Sequence, residues 1–347
     1  MKITILMAQQ CSAVSVSACM EFLECANFLH QFAAMQLSKQ IGKQMGNKHT
    51  ENNMAPLFEL ETASIDGEPV MCTGGLVLTP QKSINEVKKT DLIIVPGFMF
   101  NIMRVLPLLS ELSPWLQHHH KNNTCIASMC TGAFVTAQAG LLNNKAATTH
   151  WFFSEHFQNS FPQVKLQIER TVTDDGLTMC SGGASASIDL LMHIIRKYTS
   201  PQLAAECAKK LLTDAGDRDQ TPYMSTSFKK SHQDGVILKI QLHLEQHLHQ
   251  SINMEEVVGQ FGIGMRNFIR RFKEATEQTP IQYLQNLRIE KAKYLLESSK
   301  ESFERITEAV GYEDGNSFRR LFKERVGLSP SGYRKKFSIG LAMPGVA

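Results

Sequence analysis

Residues 126–133 read IASMCTGA, an apolar run that ends in Cys130 and continues into Thr-Gly-Ala. A cysteine between a buried strand and a small-residue helix start is the arrangement of a nucleophile on a sharp turn. There the amino end of the helix would draw the thiol pKa down, and a nearby imidazole could take the proton. Three roles are open to Cys130: contact with a bound ligand without turnover, catalysis or redox reaction at the thiol, or packing as a small hydrophobe. The other cysteines (11, 19, 25, 72, 125, 180 and 207) form no CxxC pair and no zinc-type spacing, which reads as reduced thiols in a cytoplasm. His118-His119-His120, before the turn KNN, reads as a solvated helix end. His243 and His247 would share a helix face, but no acidic or Cys partner stands at a fixed interval, so no metal site is expected. Trp151, next to His150, could line a pocket and stack on a cationic ligand, or sit in the core.

A second group of residues could recognise rather than react. The last hundred residues repeat: MEEVVGQFG (254–262) aligns with FERITEAVG (303–311), and NFIRRFKE (267–274) with SFRRLFKE (317–324). Thr279-Pro280 and Tyr283 meet Ser329-Pro330 and Tyr333 at the same offset of 50. The register slips by one residue only between the paired segments, where a turn tolerates it, so each copy reads as helix, turn, helix. In each second helix two Phe lie four apart (268 and 272; 318 and 322), with Arg266 and Arg270 on the front of one helix and Asn316, Arg319 and Arg320 on the front of the other. An apolar back with a cationic front suits a helix that fills a DNA major groove while docked on its own domain.

The elements that must position these groups change class along the chain. KITILM (2–7), LFELETA (57–63), DLIIVPG (91–97) and TCIASM (124–129) read as strands. Helical stretches at 14–37, 101–121, 132–142, 186–198 and 201–213 come between and after them. The polar run 38–53 reads as a surface loop or helix extension, and 166–183 as two strands about an Asp-Asp-Gly turn. Strands alternating with helices imply a parallel sheet with helices on both faces. The expected organisation is an α/β sandwich over 1–213, a linker over 214–235, an all-α domain over 236–337 and a tail over 338–347. From Val236 onward there are 17 Lys and Arg against 13 Asp and Glu, whereas the rest holds 19 against 20, so the excess positive charge sits in the helical third. No run approaches the roughly 18 apolar residues that span a bilayer, and the apolar start of MKITILMAQQ is too short for a secretory signal.

With those residues in view, 238–337 resembles the double helix-turn-helix domain of the AraC/XylS regulators. The likeness is carried by FGIGMRNFIRRFKEATEQTPIQYLQNLRIEKAKYLLESS and ITEAVGYEDGNSFRRLFKERVGLSPSGYRKKF. It implies two recognition helices entering successive major grooves. Base-reading positions then fall on Arg266, Ile269 and Arg270, and on Gly315, Asn316, Arg319 and Arg320, with guanine the partner arginine suits best. Lys273, Lys323 and Arg325 would meet phosphates or simply carry solvated charge. Gly264 stands where the family has a capping Ser.

Residues 1 to about 200 resemble the class I glutamine amidotransferase-like, PfpI-like superfamily through VPG (95–97), SMCTGA (128–133), AGLLNNKAATTHW (139–151) and SIDLLMHII (187–195). The resemblance implies a flavodoxin-like fold and a site at Cys130 with Glu21 and His150 as partners. Backbone N–H groups near Gly97, Phe98 and Thr131 would surround a bound oxygen, and Trp151 would lie beside them. Departures from the enzymes are plain: no His-x-Glu pair falls in 166–200, Phe98 replaces a Gly, and Ala18-Cys19 replaces a Gly-Pro. No catalytic residue and no cofactor is therefore expected. The fusion resembles the GlxA-like regulators. It implies a cytoplasmic homodimer that binds promoter DNA, senses a small metabolite of the amine or amino-acid class, and meets RNA polymerase if it activates. A cysteine-dependent hydrolase or hydratase, or a redox sensor centred on Cys130, is the alternative.

Overall fold

A computed structural model describes residues 1–45, 55–214 and 218–338. They form two compact units, Met1–Gln220 and Thr221–Ala347. Of the expected tail, 338–347, all but Ser338 lies outside the described residues.

The first unit contains strands β1 (Lys2–Leu6), β2 (Glu59–Ser64), β3 (Val70–Met71), β4 (Val77–Leu78), β5 (Lys82–Ser83), β6 (Leu92–Val95), β7 (Cys125–Ser128), β8 (Ala146–Ala147), β9 (Lys165–Leu166), β10 (Val172–Asp174) and β11 (Thr178–Ser181). Its helices are α1 (Ala13–Met45), α2 (Ile102–Val105), α3 (Leu112–Lys121), α4 (Gly132–Gln138), α5 (Ser154–Ser160), α6 (Ala186–Tyr198) and α7 (Pro201–Lys210). The main sheet runs β10-β11-β7-β6-β1-β2-β5. Its pairs are parallel except β10 with β11, which turn back on each other at Asp174–Thr178. The central strands LIIV and CIAS are buried along their whole length, as strands covered on both faces must be. This is the α/β sandwich expected from the alternation of elements, in the flavodoxin-like form that the family resemblance implies.

Three helical stretches are shorter or more broken than expected. Residues 101–121 divide into α2, a 3-10 turn at Leu106–Leu109 that carries Pro107, and α3. Proline has no N–H to continue an α-helical ladder, so the break falls there. The stretch 132–142 stops at Gln138 because Gly140 takes φ +73°, and the stretch 201–213 stops at Lys210 before Leu212 at φ 53°. Helix α1 runs on to Met45, beyond the expected 37. The β3–β4 hairpin and the β8–β9 pair have only two residues per strand, too few for a period to show.

The second unit is all helical: α8 (Gly235–His247), α9 (Met254–Gln260), α10 (Met265–Thr276), α11 (Pro280–Ser298), α12 (Phe303–Ala309), α13 (Gly315–Val326) and α14 (Pro330–Phe337). It has two separate cores. One joins α8, α9, α10 and the start of α11 around Phe268, Phe272 and Tyr283; the other joins the rest of α11 to α12, α13 and α14 around Phe318, Phe322 and Tyr333. The repeat extends to single hydrogen bonds. Tyr283 Oη donates to Glu245 at 3.0 Å, and Tyr333 Oη donates to Glu297 at 2.5 Å.

The segment expected as a linker is packed wherever it is described. Arg218 forks onto buried Asp189 at 2.8 and 2.9 Å, and the Gln220 amide donates to Thr148, Thr149, Ile168 and Arg170 while accepting from Gly183 N–H. From Thr221 onward the chain belongs to the other unit. There Lys293 donates to Met224 O, Thr226 N–H donates to Glu290, and Phe228 packs edge-on against Tyr283 at 5.0 Å.

Candidate functional site

The elbow follows from local sterics. β7 ends at Ser128, Cys130 takes φ 53°, and α4 begins at Gly132. A left-handed φ costs a residue with a Cβ about 1 kcal/mol or more, so this turn is held by its surroundings. Cys130 N–H donates to Ser181 O at 3.1 Å, Thr149 Oγ1 donates to Cys130 O at 3.0 Å, and Phe98 N–H donates to Thr131 Oγ1 at 2.8 Å. Gly97 lies against the thiol carbon: a Cβ there would sit 3.2 Å from Cys130 Cβ and 3.4 Å from Ser15 Oγ. The structure thus brings Gly97, Phe98, Cys130 and Thr131 together. It also adds Ser15, Thr149 and Ser181, which sequence reasoning missed.

Glu21 is not part of this group. Ser15 and Cys19 form the face of α1 that meets the elbow, the Cys19 thiol donating to Ser15 O at 3.0 Å and lying 3.8 Å from Met129 Sδ. Glu21 stands two residues further, about 200° around the helix, and is exposed. The expected carboxylate partner therefore points away, and from α1 it is Ser15 that reaches the contact between Gly97 and Cys130. The Phe98 N–H is also not a free donor for a bound oxygen, because Thr131 already accepts it.

His150 is half-buried. Its Nδ1 accepts from Phe152 N–H at 3.2 Å, which places the proton of the neutral ring on Nε2. Burial holds its pKa below the usual imidazole range, so at neutral pH it carries no charge to stabilise a thiolate. The Cys130 thiol is 3% exposed, and burial pushes its pKa up to about 11 despite opposing hydrogen bonds from Thr131. Helix α4, only seven residues long, does not offset that burial. Desolvation wins over activation, and the elbow holds a resting thiol. Alkylation of Cys130 by iodoacetamide should accordingly rise about tenfold per pH unit above neutrality without levelling off below about 11. A plateau near pH 7 would show an activated thiol instead.

What surrounds the elbow is aromatic. Phe100, two residues beyond Phe98, meets Phe152 edge-on at 5.7 Å and Phe153 at 6.1 Å, and Trp151 lies 5.8 Å from His150. Phe100 and Phe152 are largely exposed, while Phe153 packs on Phe134 of α4. The runs FMF (98–100) and WFF (151–153) were the available signal in the sequence. A cavity of about 860 Å³ opens at the opposite ends of the strands, lined by Lys88, Lys89, Asp91 and Tyr198 among others, and touches none of these residues.

In the second unit, α10 and α13 bury Phe268 and Phe272, and Phe318 and Phe322, completely. Arg266, Ile269, Arg270, Asn316, Arg319 and Arg320 are exposed, and Gly315 is half-buried at the start of α13. Arg270 forks onto Glu274 at 2.9 Å and reaches Asn267 at 3.0 Å; Arg319 lies 3.5 Å from Glu304 and 5.1 Å from the Phe303 ring centre. The two helices are capped differently. Asp314 accepts from Asn316 and Ser317 N–H groups, whereas Gly264 gives α10 no side-chain cap. The His243 and His247 rings stack at 4.3 Å, with His247 Nδ1 against His243 O.

Comparison with known proteins fits this division. Residues 1–197 match the DJ-1/PfpI family. The chain belongs to that family. Residues 257–336 match a helix-turn-helix domain. The HTH-type transcriptional regulator CdhR of Pseudomonas aeruginosa is 28% identical over 80% of this chain and 82% of its own length. The HTH-type transcriptional regulator GlxA of Rhizobium meliloti is 25% identical over 61% of this chain and 65% of its own. An AraC family transcriptional regulator from Pseudomonas putida, of known structure, shares 19% identity over 60% of this chain and 98% of its own, with a TM-score of 0.47. This DJ-1/PfpI protein is a transcription regulator with an AraC-type DNA-binding domain. Its elbow buries the Cys130 thiol, and Glu21 is exposed on α1.

Proposed function

We propose that α10 and α13 read promoter DNA through Arg266, Ile269 and Arg270, and through Gly315, Asn316, Arg319 and Arg320, under control of a small effector bound at the elbow. The observation that carries this reading is the duplicated helix with a fully buried Phe pair behind and exposed arginines in front. Arginine forks match guanine in the major groove, while Ile269 and Gly315 add shape but no polar readout. Lys273, Lys323 and Arg325 supply charge towards phosphate.

The effector site comprises Gly97, Phe98, Cys130, Thr131, His150 and Trp151, with Ser15 in the place expected for Glu21. Exposed aromatic faces at Phe100 and Phe152 suit a cationic amine. The ligand acts by shifting the population of two arrangements, so it needs different affinities for them. The protein works in the cytoplasm; among the described residues no helix is long and apolar enough to cross a membrane. It pairs as a homodimer, for which Phe28, Phe32 and Met35 offer an exposed apolar stripe on α1, and it contacts RNA polymerase where it activates.

One titration tests the reading: fluorescence anisotropy on the chain's own promoter fragment, with and without a panel of small amines. Arg270→Ala and Arg320→Ala should each weaken specific binding by about 1–3 kcal/mol, and an amine should shift the wild-type curve. Unchanged binding in both variants would refute the assigned reading helices. No response to any amine would refute the amine class.

A further inference from the structure

We propose that Cys11 and Cys72 form a reversible dithiol–disulfide pair, a redox modification site separate from Cys130. Their sulfurs lie 3.7 Å apart, although 61 positions separate them in the chain. Cys11 sits between β1 and α1; Cys72 follows β3 and opens the hairpin loop, its N–H donating to Leu76 O at 2.8 Å. Backbone hydrogen bonds bracket the pair: Gln10 N–H donates to Met71 O at 2.8 Å, and Thr73 N–H donates to Cys11 O at 2.9 Å. A disulfide needs its sulfurs at roughly 2.03–2.05 Å, and from 3.7 Å a small rotation of the two side chains closes that gap.

The hairpin supplies the access. Each of its strands has two residues, its tip is Gly74-Gly75 with both φ at +87° in open space, and Met71, Leu76 and Val77 are exposed. Such a segment opens locally at little cost and exposes Cys72 first. Burial keeps the closed Cys11 thiol up at about 12, so reaction starts from the opened hairpin. The Cys72 thiolate attacks a peroxide oxygen, giving a sulfenic acid and releasing the alcohol or water. On reclosure the Cys11 sulfur displaces water from the sulfenic sulfur, and the S–S bond forms. Two thiols lose two electrons to the peroxide, and exchange with a small thiol returns both to the reduced state. The bond would fasten the hairpin one residue from Ser12, whose N–H donates to Gly97 O at the elbow.

The test is peroxide treatment of the full-length native protein, alkylation of remaining thiols, and peptide mass spectrometry. A linked Cys11–Cys72 peptide should form, disappear with dithiothreitol, and be absent in Cys11→Ser, where Cys72 instead goes on to sulfinic acid. Amide exchange over residues 70–78 should slow by about tenfold in the oxidised wild type. The proposal fails if Cys11 and Cys72 stay reduced at a dose that oxidises half-exposed Cys25, or if the link appears only in urea.

Discussion

Gly132→Ala should cost the DJ-1/PfpI unit about 3 kcal/mol. A Cβ at this position would sit 2.5 Å from Pro96 O and 2.8 Å from Val95 O. Val95 ends β6 and its O accepts from Met129 N–H at 2.9 Å, and Pro96 follows it directly, so neither oxygen retreats without disturbing the β6–β7 pairing. The φ of Gly132 is not what demands glycine; the close passage of α4 over β6 is. Gly176, on the open turn between β10 and β11, meets nothing within 4 Å. Alanine there pays only for its φ of +71°, about 1 kcal/mol. Both tryptophans of the chain, Trp115 and Trp151, lie in this unit, so their fluorescence in a urea titration follows it alone. Equal losses for the two variants would show that α4 does not approach β6 this closely.

Arg288→Ala should destabilise the helix-turn-helix unit by about 3 kcal/mol and reduce DNA binding with it. Arg288 projects from the middle of α11, is 9% exposed, and donates from Nε to Leu248 O at 2.9 Å and from Nη2 to Gln250 O at 2.7 Å. Its guanidinium also lies 5.0 Å from the Tyr312 ring centre, so one side chain ties the end of α8 to the turn before α13. Burial lowers its pKa, yet an arginine keeps its charge at any ordinary pH. Alanine would leave two carbonyls without a donor at about 1–3 kcal/mol each. Lysine should not rescue, since a single ammonium cannot fork as the guanidinium does. Five of the six tyrosines lie beyond residue 221, and their signal reports this unit. A loss below 1 kcal/mol would remove Arg288 as the tie.

The sequence carried the order of elements well because the signals were local. Helix α6 begins and ends where its apolar period does, and the Asp-Asp-Gly turn fixed the β10–β11 pair. The duplication showed both the Phe backs and the arginine fronts, since a residue four places away shares a helix face wherever the helix lies. The elbow was legible from its small residues. Its partners were not. Which face of α1 meets Cys130 depends on how the helix packs, so Glu21 and Ser15 could be told apart only in three dimensions. The β3–β4 hairpin and the Cys11–Cys72 contact join distant segments through strands too short to have a period. The thiol's state likewise depends on burial, which no local pattern encodes.

The two copies of the helix-turn-helix have not aged alike. The second begins its reading helix on Asp314 and ends it on Gly327 in the left-handed conformation; the first begins on bare Gly264 and ends on Glu277 at φ 63°. Each concession weakens α10 relative to α13, so its end turns fray more readily and their amides exchange sooner with solvent. A helix already fixed in its first turn gives up less freedom when it meets phosphate. On the reading proposed above, one half-site of the operator would be met by a settled helix and the other by one that completes its order on contact. A change of conditions that loosens the complex will release the α10 half-site first.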